Sequence, residues 1–600
     1  MEAAAPQAPA DRSTGSTTIA DLLPLAVERY GDRPAQRFKR DGAWQDRSLT
    51  EVGQIVSELA RGLIGLGLEP GDRVALLSTT RAEWTLCDFA VTCAGGVVVP
   101  VYATNSPAEC EWVVGNSESR VVVCEDAGQV AKIVAVRERL PALEHIVVIE
   151  ADGAHADAVA VEALRERGRE RDPGEVTART RAVTAEDPYT FIYTSGTTGP
   201  PKGCVLTHGN YRTMCSMVEA ESILGRDPDE LVYLYLPLAH SYALLVQLVC
   251  IDLGITLAYF GRDPQQIVPE LIEVKPTYLP SVPRIFEKIY TLVTSAADPE
   301  TILKATQVGM RVRELERAGE DVPEDLRAAF DQFDERLFSN VRNAFGGRVR
   351  QATSGAAPIA TEILEFFYAA GVPVFEGYGM TETSTAATGQ HPHDFRFGTV
   401  GRALPGVELR IADDGEVLIK GANVFHGYYK LQESGFGSVV DGWLHTGDLG
   451  SLDEDGYLTI TGRKKDIIIT AGGKNLTPAN VENDLKQSRW VSQAIMFGDR
   501  RPYPVALVTL DVDEVGPWAQ AQGIEDREPA ALAEHPKVRA LVEEVVDRVN
   551  ARYAQVEQIK RFAILDHDLS QETGELTPTL KVKRNVIYER YAELFDRLYE

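Results

Sequence analysis

The run Tyr193-Thr-Ser-Gly-Thr-Thr-Gly-Pro-Pro-Lys-Gly-Cys204 gathers hydroxyls, glycines and one lysine after the apolar stretch 189–193. Glycines let backbone N–H groups approach phosphate oxygens closely, and the lysine adds a point charge. The hydroxyls of Thr194, Ser195, Thr197 and Thr198 supply neutral donors. The spacing is not that of a Walker A loop, which needs Gly, four residues and then Gly-Lys-Ser/Thr. Here Lys202 is followed by Gly203, so no hydroxyl adjoins the lysine to hold magnesium. The same composition also suits a plain solvated turn, so this run needs company before it means chemistry.

Company follows downstream. Ser354-Gly-Ala-Ala-Pro358 has small side chains that leave room for a flat ring, though a strand-to-helix turn would look the same. In Phe375-Glu-Gly-Tyr-Gly-Met-Thr-Glu-Thr383, Tyr378 stands between two glycines, open as a stacking platform. Thr381 adds a hydroxyl, and Glu382 a hard oxygen suited to magnesium. In His445-Thr-Gly-Asp448 the carboxylate could accept from both ribose hydroxyls. It could equally be a turn aspartate. Arg463, in Gly462-Arg-Lys-Lys-Asp466, could reach a ribose or a phosphate, and Lys581 lies in a charged run near the C-terminus that would ordinarily be solvated.

The elements that must position these residues alternate. Helical spacing over 49–66, a buried strand over 73–78, a helix over 81–94 and strands over 97–102, 120–124 and 146–149 imply a largely parallel sheet covered on both faces. The charge-rich stretch 162–171 reads as a solvated face or connector. Residues 242–260 are apolar enough to raise a membrane span of about 20 residues. However, Gln247, Asp252 and Gly254 interrupt them, so a buried helix and then a buried strand are expected. The stretch 301–343 reads as two helices broken near 319–323, ahead of a strand over 348–353. From about Asp413 short alternating strands and Asp-Gly turns suggest antiparallel hairpins, and beyond Gly462 the chain reads as a small α+β unit.

A chain of 600 residues exceeds what one core organises. The apolar and charged fractions, 44% and 25%, are those of a globular protein, and the net charge of -28 excludes non-specific nucleic-acid binding. The seven cysteines contain no C-x-x-C pair and their number is odd, so reduced buried thiols are expected in place of disulfides or a zinc site. Residues 1–18 read as a disordered lead-in without the apolar core of a signal peptide.

Taken in order, these segments closely resemble the core motifs of the adenylate-forming superfamily, which includes acyl-CoA synthetases, luciferases and peptide-synthetase adenylation domains. Several stretches resemble the long-chain fatty acyl-CoA synthetase (AMP-forming) branch in particular. They are Leu236-Pro-Leu-Ala-His-Ser-Tyr242, Ser281-Val-Pro-Arg-Ile-Phe-Glu287, the helical insert before Ser354 and Asp441-Gly-Trp-Leu-His-Thr-Gly-Asp-Leu449. One motif departs from the commoner form. Leu580 replaces the glycine before Lys581, which leaves Lys583 as the alternative lysine.

The resemblance implies an α/β fold. A large N-terminal adenylation domain of mixed and parallel sheets, with an antiparallel β subdomain, would span 19–463, and a small mobile α+β domain 464–600, hinged at Lys465. It implies an ATP-dependent ligase of fatty-acid metabolism that joins a long-chain fatty acid to coenzyme A, with release of AMP and pyrophosphate. Thr194, Ser195, Gly196, Thr197, Thr198, Gly199 and Lys202 would clamp phosphates. Gly355, Ala356, Ala357, Tyr378, Gly379 and Thr381 would frame adenine, Asp448 and Arg463 the ribose. Thr194 and Glu382 would hold Mg2+. Lys581 would bridge the carboxylate and the α-phosphate, with His240 gating the acyl pocket and Gly472, Gly473 and Lys474 replacing Lys581 for the thioester step. ATP, Mg2+ and CoA are the implied cofactor and co-substrates, and the implied setting is cytoplasmic, with peripheral membrane contact left open. Two rivals remain: a fatty acyl-AMP ligase serving a carrier protein, and a non-catalytic lipid- or nucleotide-binding relative. A carboxylic acid reductase is not expected of a chain ending at Glu600. Acyl length, oligomeric state and pathway are not readable from the sequence.

Overall fold

The computed structural model describes residues 13–194, 200–221, 224, 229–295, 297–431, 437–472, 474–577 and 580–600. Two large sheets carry the first four hundred residues. In one, the strands Val374–Tyr378, Gln351–Ser354, Tyr278–Ser281, Leu231–Leu234, Thr256–Tyr259 and Pro34–Arg40 run parallel in that order. Antiparallel strands close both edges. In the other, five parallel strands from Ala158–Ala160 to Val97–Val101 lead to Pro188–Thr194, which turns back antiparallel into Lys202–Thr207. Val74, Val98, Val122, Val123 and Val147 are buried, the continuous apolar texture of strands covered on both faces.

An antiparallel unit follows: Glu408–Ile411, Glu416–Lys420, Trp443–Leu452 and Leu458–Arg463, with Val439–Val440 at one edge. Beyond it lies the three-stranded sheet of Val491–Phe497, Val505–Leu510 and Arg561–Ile564, packed on Pro478–Lys486 and Pro536–Asn550. Among the described residues, no apolar core cluster joins side chains before Arg463 to side chains after Lys465.

The membrane question raised by 242–260 is answered by a helix and a strand. Ser241–Leu253 ends on Gly254 at φ 64°, and Thr256–Tyr259 continues as a sheet strand. Asp252, buried in this stretch, is matched by Arg212 at 2.8 Å. No helix of the described residues is long and apolar enough to cross a membrane.

The structure refines one sequence expectation, changes a second and adds a hairpin that the sequence reading did not see. In the stretch 162–171, Val161–Arg169 is a helix that exposes Glu162, Glu166, Arg167 and Arg169 as a solvated face and docks its other side on Leu49–Gly65: a Cβ at Gly168 would meet the Glu58 carbonyl, and Arg165 pairs with Glu58 at 2.8 Å. Ser13 to Thr18, expected within a disordered lead-in, are fixed. The Ser13 and Thr14 backbones donate to Glu219 and Asp252, and Thr18 caps Ile19–Tyr30. The hairpin Pro34–Arg40/Ala43–Ser48 carries many charged residues, which hid its period from the sequence reading. All seven cysteines are free and buried.

Candidate functional site

Ligand sites in open α/β sheets form where strands end and loops leave their carboxyl edge. Gln351–Ser354 and Val374–Tyr378 are parallel neighbours, with Ser354 opposite Glu376, so Gly355 to Ala357 and Tyr378 to Thr381 leave the same edge together. Ala356 takes φ 69°, which aims the turn away from the strand. Gly379 has no room for a side chain, because a Cβ would strike the carbonyl of Thr385. Tyr242 donates to the Thr353 carbonyl at 3.1 Å, and its ring lies beside Gly355.

The hairpin that carries the ends of the glycine–hydroxyl turn comes from the other sheet. Thr194 ends one strand and Lys202 begins the next, paired across the turn. The helix Pro107–Ser117 braces both sides of it: Tyr193 donates to Asn116 at 2.6 Å, and Trp112 donates to the Pro201 carbonyl at 2.8 Å. Ser195 to Gly199, the centre of the expected phosphate clamp, and Gly473 lie outside the described residues.

The antiparallel unit supplies Asp448 and Arg463, facing each other across two paired strands. Arg463 Nε meets Asp448 Oδ1 at 2.8 Å, and the Tyr378 hydroxyl donates to Asp448 Oδ2 at 2.7 Å. Both carboxylate oxygens are therefore held by protein in this geometry. Burial, and then the Asp448 charge, pushes the Tyr378 phenol well up, so it stays a donor. Burial works against the Arg463 charge, but Asp448 prevails and strengthens it.

Lys581 reaches this cluster from the C-terminal unit. Its side chain keeps surface open to solvent, yet the protein groups crowded around it desolvate its ammonium, and this, followed by the Arg463 charge, lowers its pKa. Asp448 and Glu382 pull the other way. His240, the N-cap of Ser241–Leu253, is pushed down to about 4 by burial and then by the Lys581 charge, so it is neutral above about pH 5. Lys583 instead starts the helix Arg584–Arg590, its N–H bonded to the Glu575 carbonyl. Of the two lysines left open by the sequence, Lys581 faces the cluster. Lys465 follows Arg463 in a 3-10 turn, and burial together with Arg463 lowers its pKa. Gly472 and Lys474 do not join the cluster. They sit in the turn after Ile468–Ile469, where Lys474 bonds to Thr470.

One constellation escaped the sequence reading. The segment Gly421-Ala-Asn-Val-Phe-His-Gly-Tyr-Tyr429 stitches the strand Lys202–Thr207 to Glu382. Val205 donates to the Gly427 carbonyl and Tyr429 to the Gly203 carbonyl, while Phe425 donates to the Glu382 carbonyl. Tyr428 donates its hydroxyl to Glu382 Oε1 at 2.6 Å, and Lys202 lies 5.2 Å over the same ring. The legible signal was two glycines bracketing a polar-aromatic cluster. Gly427 takes φ 120°, a conformation other residues resist.

Magnesium fits this donor set in a limited way. Among the described residues no three His, Cys, Asp or Glu side chains converge as a self-contained metal site. Glu382, buried with one oxygen bonded to Tyr428, offers one hard carboxylate. Mg2+ characteristically binds through one or two carboxylates plus substrate phosphates. Cys204 adjoins Glu382, and burial followed by that charge pushes its thiol well up, so it is no nucleophile.

Two parallel-sheet lobes, an antiparallel unit and a small C-terminal unit, meeting at a tyrosine–aspartate–arginine cluster with an incoming lysine, define an adenylate-forming enzyme. The chain belongs to the AMP-binding enzyme family, matched over residues 23–429, with the AMP-binding enzyme C-terminal domain matched over 465–600. It is 38% identical to the long-chain-fatty-acid–CoA ligase FadD15 of Mycobacterium tuberculosis, over 93% of each chain. It is 31% identical to the long-chain-fatty-acid–CoA ligase ACSBG2 of Xenopus laevis, over 97% of this chain and 84% of that one. In fold it resembles the anthranilate CoA ligase AuaEII solved with anthranoyl-AMP (TM-score 0.71, 19% identity, 96% and 97% covered). It also resembles a Mycobacterium tuberculosis fatty acyl CoA synthetase (TM-score 0.60, 22% identity, 96% and 99% covered).

Proposed function

We propose that this protein activates a long-chain fatty acid with ATP as an acyl adenylate and transfers the acyl group to coenzyme A. A carboxylate is a poor electrophile at neutral pH. Its oxygen attacks the α-phosphorus in line, pyrophosphate leaves, and the acyl carbon gains AMP as a leaving group. The CoA thiolate then attacks that carbon and AMP departs. No covalent enzyme nucleophile is needed, so positioning and charge stabilisation carry the rate.

The meeting of Lys581 with Arg463, Asp448 and Glu382 in one cleft is the observation that carries this reading, supported by the names of the 38%-identical relatives. Asp448 exchanges its protein partners for ribose hydroxyls, Tyr378 stacks on adenine, and Lys581 offers its ammonium to the carboxylate and α-phosphate oxygens. Thr194, Lys202 and the loop between them grip the terminal phosphates. Glu382 with Thr194 would hold Mg2+, which when bound neutralises phosphate charge. Lys465 is the hinge residue between a large unit ending near 463 and a small one from 464 onward, and Gly472 to Lys474 take Lys581's place for thioester formation.

A panel of fatty acids of increasing length tests this, with pyrophosphate release and acyl-CoA formation measured separately. Long chains should give both. Pyrophosphate release with no acyl-CoA would point to a carrier-protein acceptor, and no release with any chain would sink the enzymatic reading.

A further inference from the structure

A cavity of about 450 Å³ lies between the hairpin Pro34–Arg40/Ala43–Ser48 and the helices Leu49–Gly65 and Val161–Arg169, and its lining includes none of the residues assigned above to ATP or the acyl group. That volume falls within the range of about 300–1,000 Å³ typical of small-ligand sites. One wall is apolar, from Phe38, Leu59 and Leu86. The charged wall is mostly self-neutralised. Arg81 pairs with Glu83 and Glu150, Arg262 with Glu150, Arg165 with Glu58 and Glu162, and Lys39 with Glu270 and Glu273.

Arg47 is the exception. Its polar contact is a 2.7 Å hydrogen bond to the Gln36 side-chain oxygen, and among the described residues no carboxylate forms an ion pair with it. Its guanidinium packs 4.6 Å over the Phe38 ring, and burial lowers its pKa against the pull of Glu83 and Glu51, which act on it from beyond ion-pair distance. Gln36 is fully buried and held in turn by the Ala82 carbonyl and the Tyr259 hydroxyl. Tyr259 and Thr85 share a hydrogen bond of 2.6 Å, which fixes the chain of partners behind Arg47. Arg40 and Asp41 also form no ion pair among the described residues, but they are of opposite sign and stand in the exposed hairpin turn at the rim. Arg47 is therefore the cation of the inner lining that no carboxylate meets directly among the described residues. A desolvated cation costs free energy unless an anion or a strong hydrogen-bond partner meets it, and an apolar wall opposite favours an alkyl body.

We propose that this cavity is a second binding site, for an amphiphilic anion whose single carboxylate or phosphate head meets Arg47 and whose alkyl chain lies along Phe38, Leu59 and Leu86. A charged hydrogen bond into a preformed cavity fixes the head, and area removed from water holds the chain. The site is separate from the adenylate cleft, so an occupant here is not the molecule being activated.

The test is equilibrium dialysis with radiolabelled decanoate, and separately with decyl phosphate. The full-length protein is first saturated with a non-hydrolysable decanoyl-adenylate mimic that fills the adenylate cleft. About one equivalent of at least one probe should still bind. Arg47→Gln should weaken that binding by about tenfold or more, the order expected for a lost charged hydrogen bond. Ile55→Trp, which fills the cavity from its half-buried wall without touching Arg47, should abolish it and keeps the test alive if the arginine variant folds poorly. Decanoate alone binding identifies a carboxylate head, decyl phosphate alone a phosphate monoester. Absence of both probes from the mimic-saturated protein, or equal binding by wild type and both variants, would overturn the proposal. Because the readout is binding, failure here is distinct from failure to release pyrophosphate.

Discussion

At the scale of single residues, the cluster depends on donors that hold carboxylates in place before any substrate arrives. Tyr428 is the clearest case, because its hydroxyl and its ring serve Glu382 and Lys202 at once. Tyr428→Phe keeps the ring and removes one hydrogen bond to a buried carboxylate, worth about 1.5–3 kcal/mol. The expected result is a magnesium dependence of pyrophosphate release displaced about tenfold or more to higher concentration, with the fatty-acid dependence little changed. Identical magnesium curves for the two proteins would remove Tyr428 from this role. The sequence showed Glu382 and Lys202 but not the residue joining them, because a tyrosine 46 positions from Glu382 leaves no trace in local spacing. Leu580 shows the reverse. The motif seemed broken where leucine replaces glycine, yet Leu580 takes φ 58°, the left-handed conformation that favours glycine. Hydrogen bonds from the Thr577 N–H to the Lys581 carbonyl and from the Lys581 N–H to the Thr577 hydroxyl close the turn regardless. The strain, about 1–2 kcal/mol, is held locally.

At the scale of elements, strand and helix types were mostly legible because period and length agreed, as in 73–77, 97–101 and 241–253. Roles within elements were less so. Asp448 suited a turn by residue type, but it lies within the strand Trp443–Leu452, where pairing with Arg463 fixes its aim better than a loop could. Buried polar contacts between elements were invisible in the sequence. Asp88, on the helix Ala82–Cys93, accepts from Tyr189 at 3.0 Å and from Gln247 at 2.6 Å, and it joins the strand Pro188–Thr194 to the helix that His240 caps. Burial raises the Asp88 carboxyl to about 7. A carboxyl raised on folding stabilises fully below its unfolded pKa, near 4, and loses that contribution as pH climbs to about 7. Asp88→Asn carries no such titration. The difference in Tm, variant minus wild type, should therefore grow with pH between about 4 and 7 and level off above, read by calorimetry across a buffer series. A difference independent of pH would mean that Asp88 is not buried in its neutral form.

At the scale of the whole molecule, the arrangement separates what is fixed from what is delivered. The two parallel lobes and the antiparallel unit share core clusters, whereas the residues after Lys465 pack among themselves. Contacts across the divide include surface polar ones, such as Arg284 to Asp511 at 2.6 Å and Gln571 to the Thr104 carbonyl at 3.3 Å. Exposed pairs of this kind contribute about 0–1 kcal/mol each, so they do not oppose a rotation strongly. In this orientation Lys581 stands in the cleft and Lys474 stands outside it. The sequence reading sets a small α+β unit beyond Gly462, after a change of texture from about Asp413; which lysine enters first was not legible, since that depends on a rigid-body placement no local pattern encodes. If the orientation seen here serves adenylation and a turned one serves thioester formation, removing Lys581 should split the reaction. Lys581→Ala should lose pyrophosphate release from fatty acid and ATP by several orders of magnitude, while retaining most acyl-CoA formation from supplied acyl adenylate and CoA. Lys474→Ala should leave the first half-reaction near wild type and slow the second. Equal losses in both half-reactions for Lys581→Ala would mean that the lysine serves a single shared arrangement, and the turning of the C-terminal unit would then have no part in the chemistry.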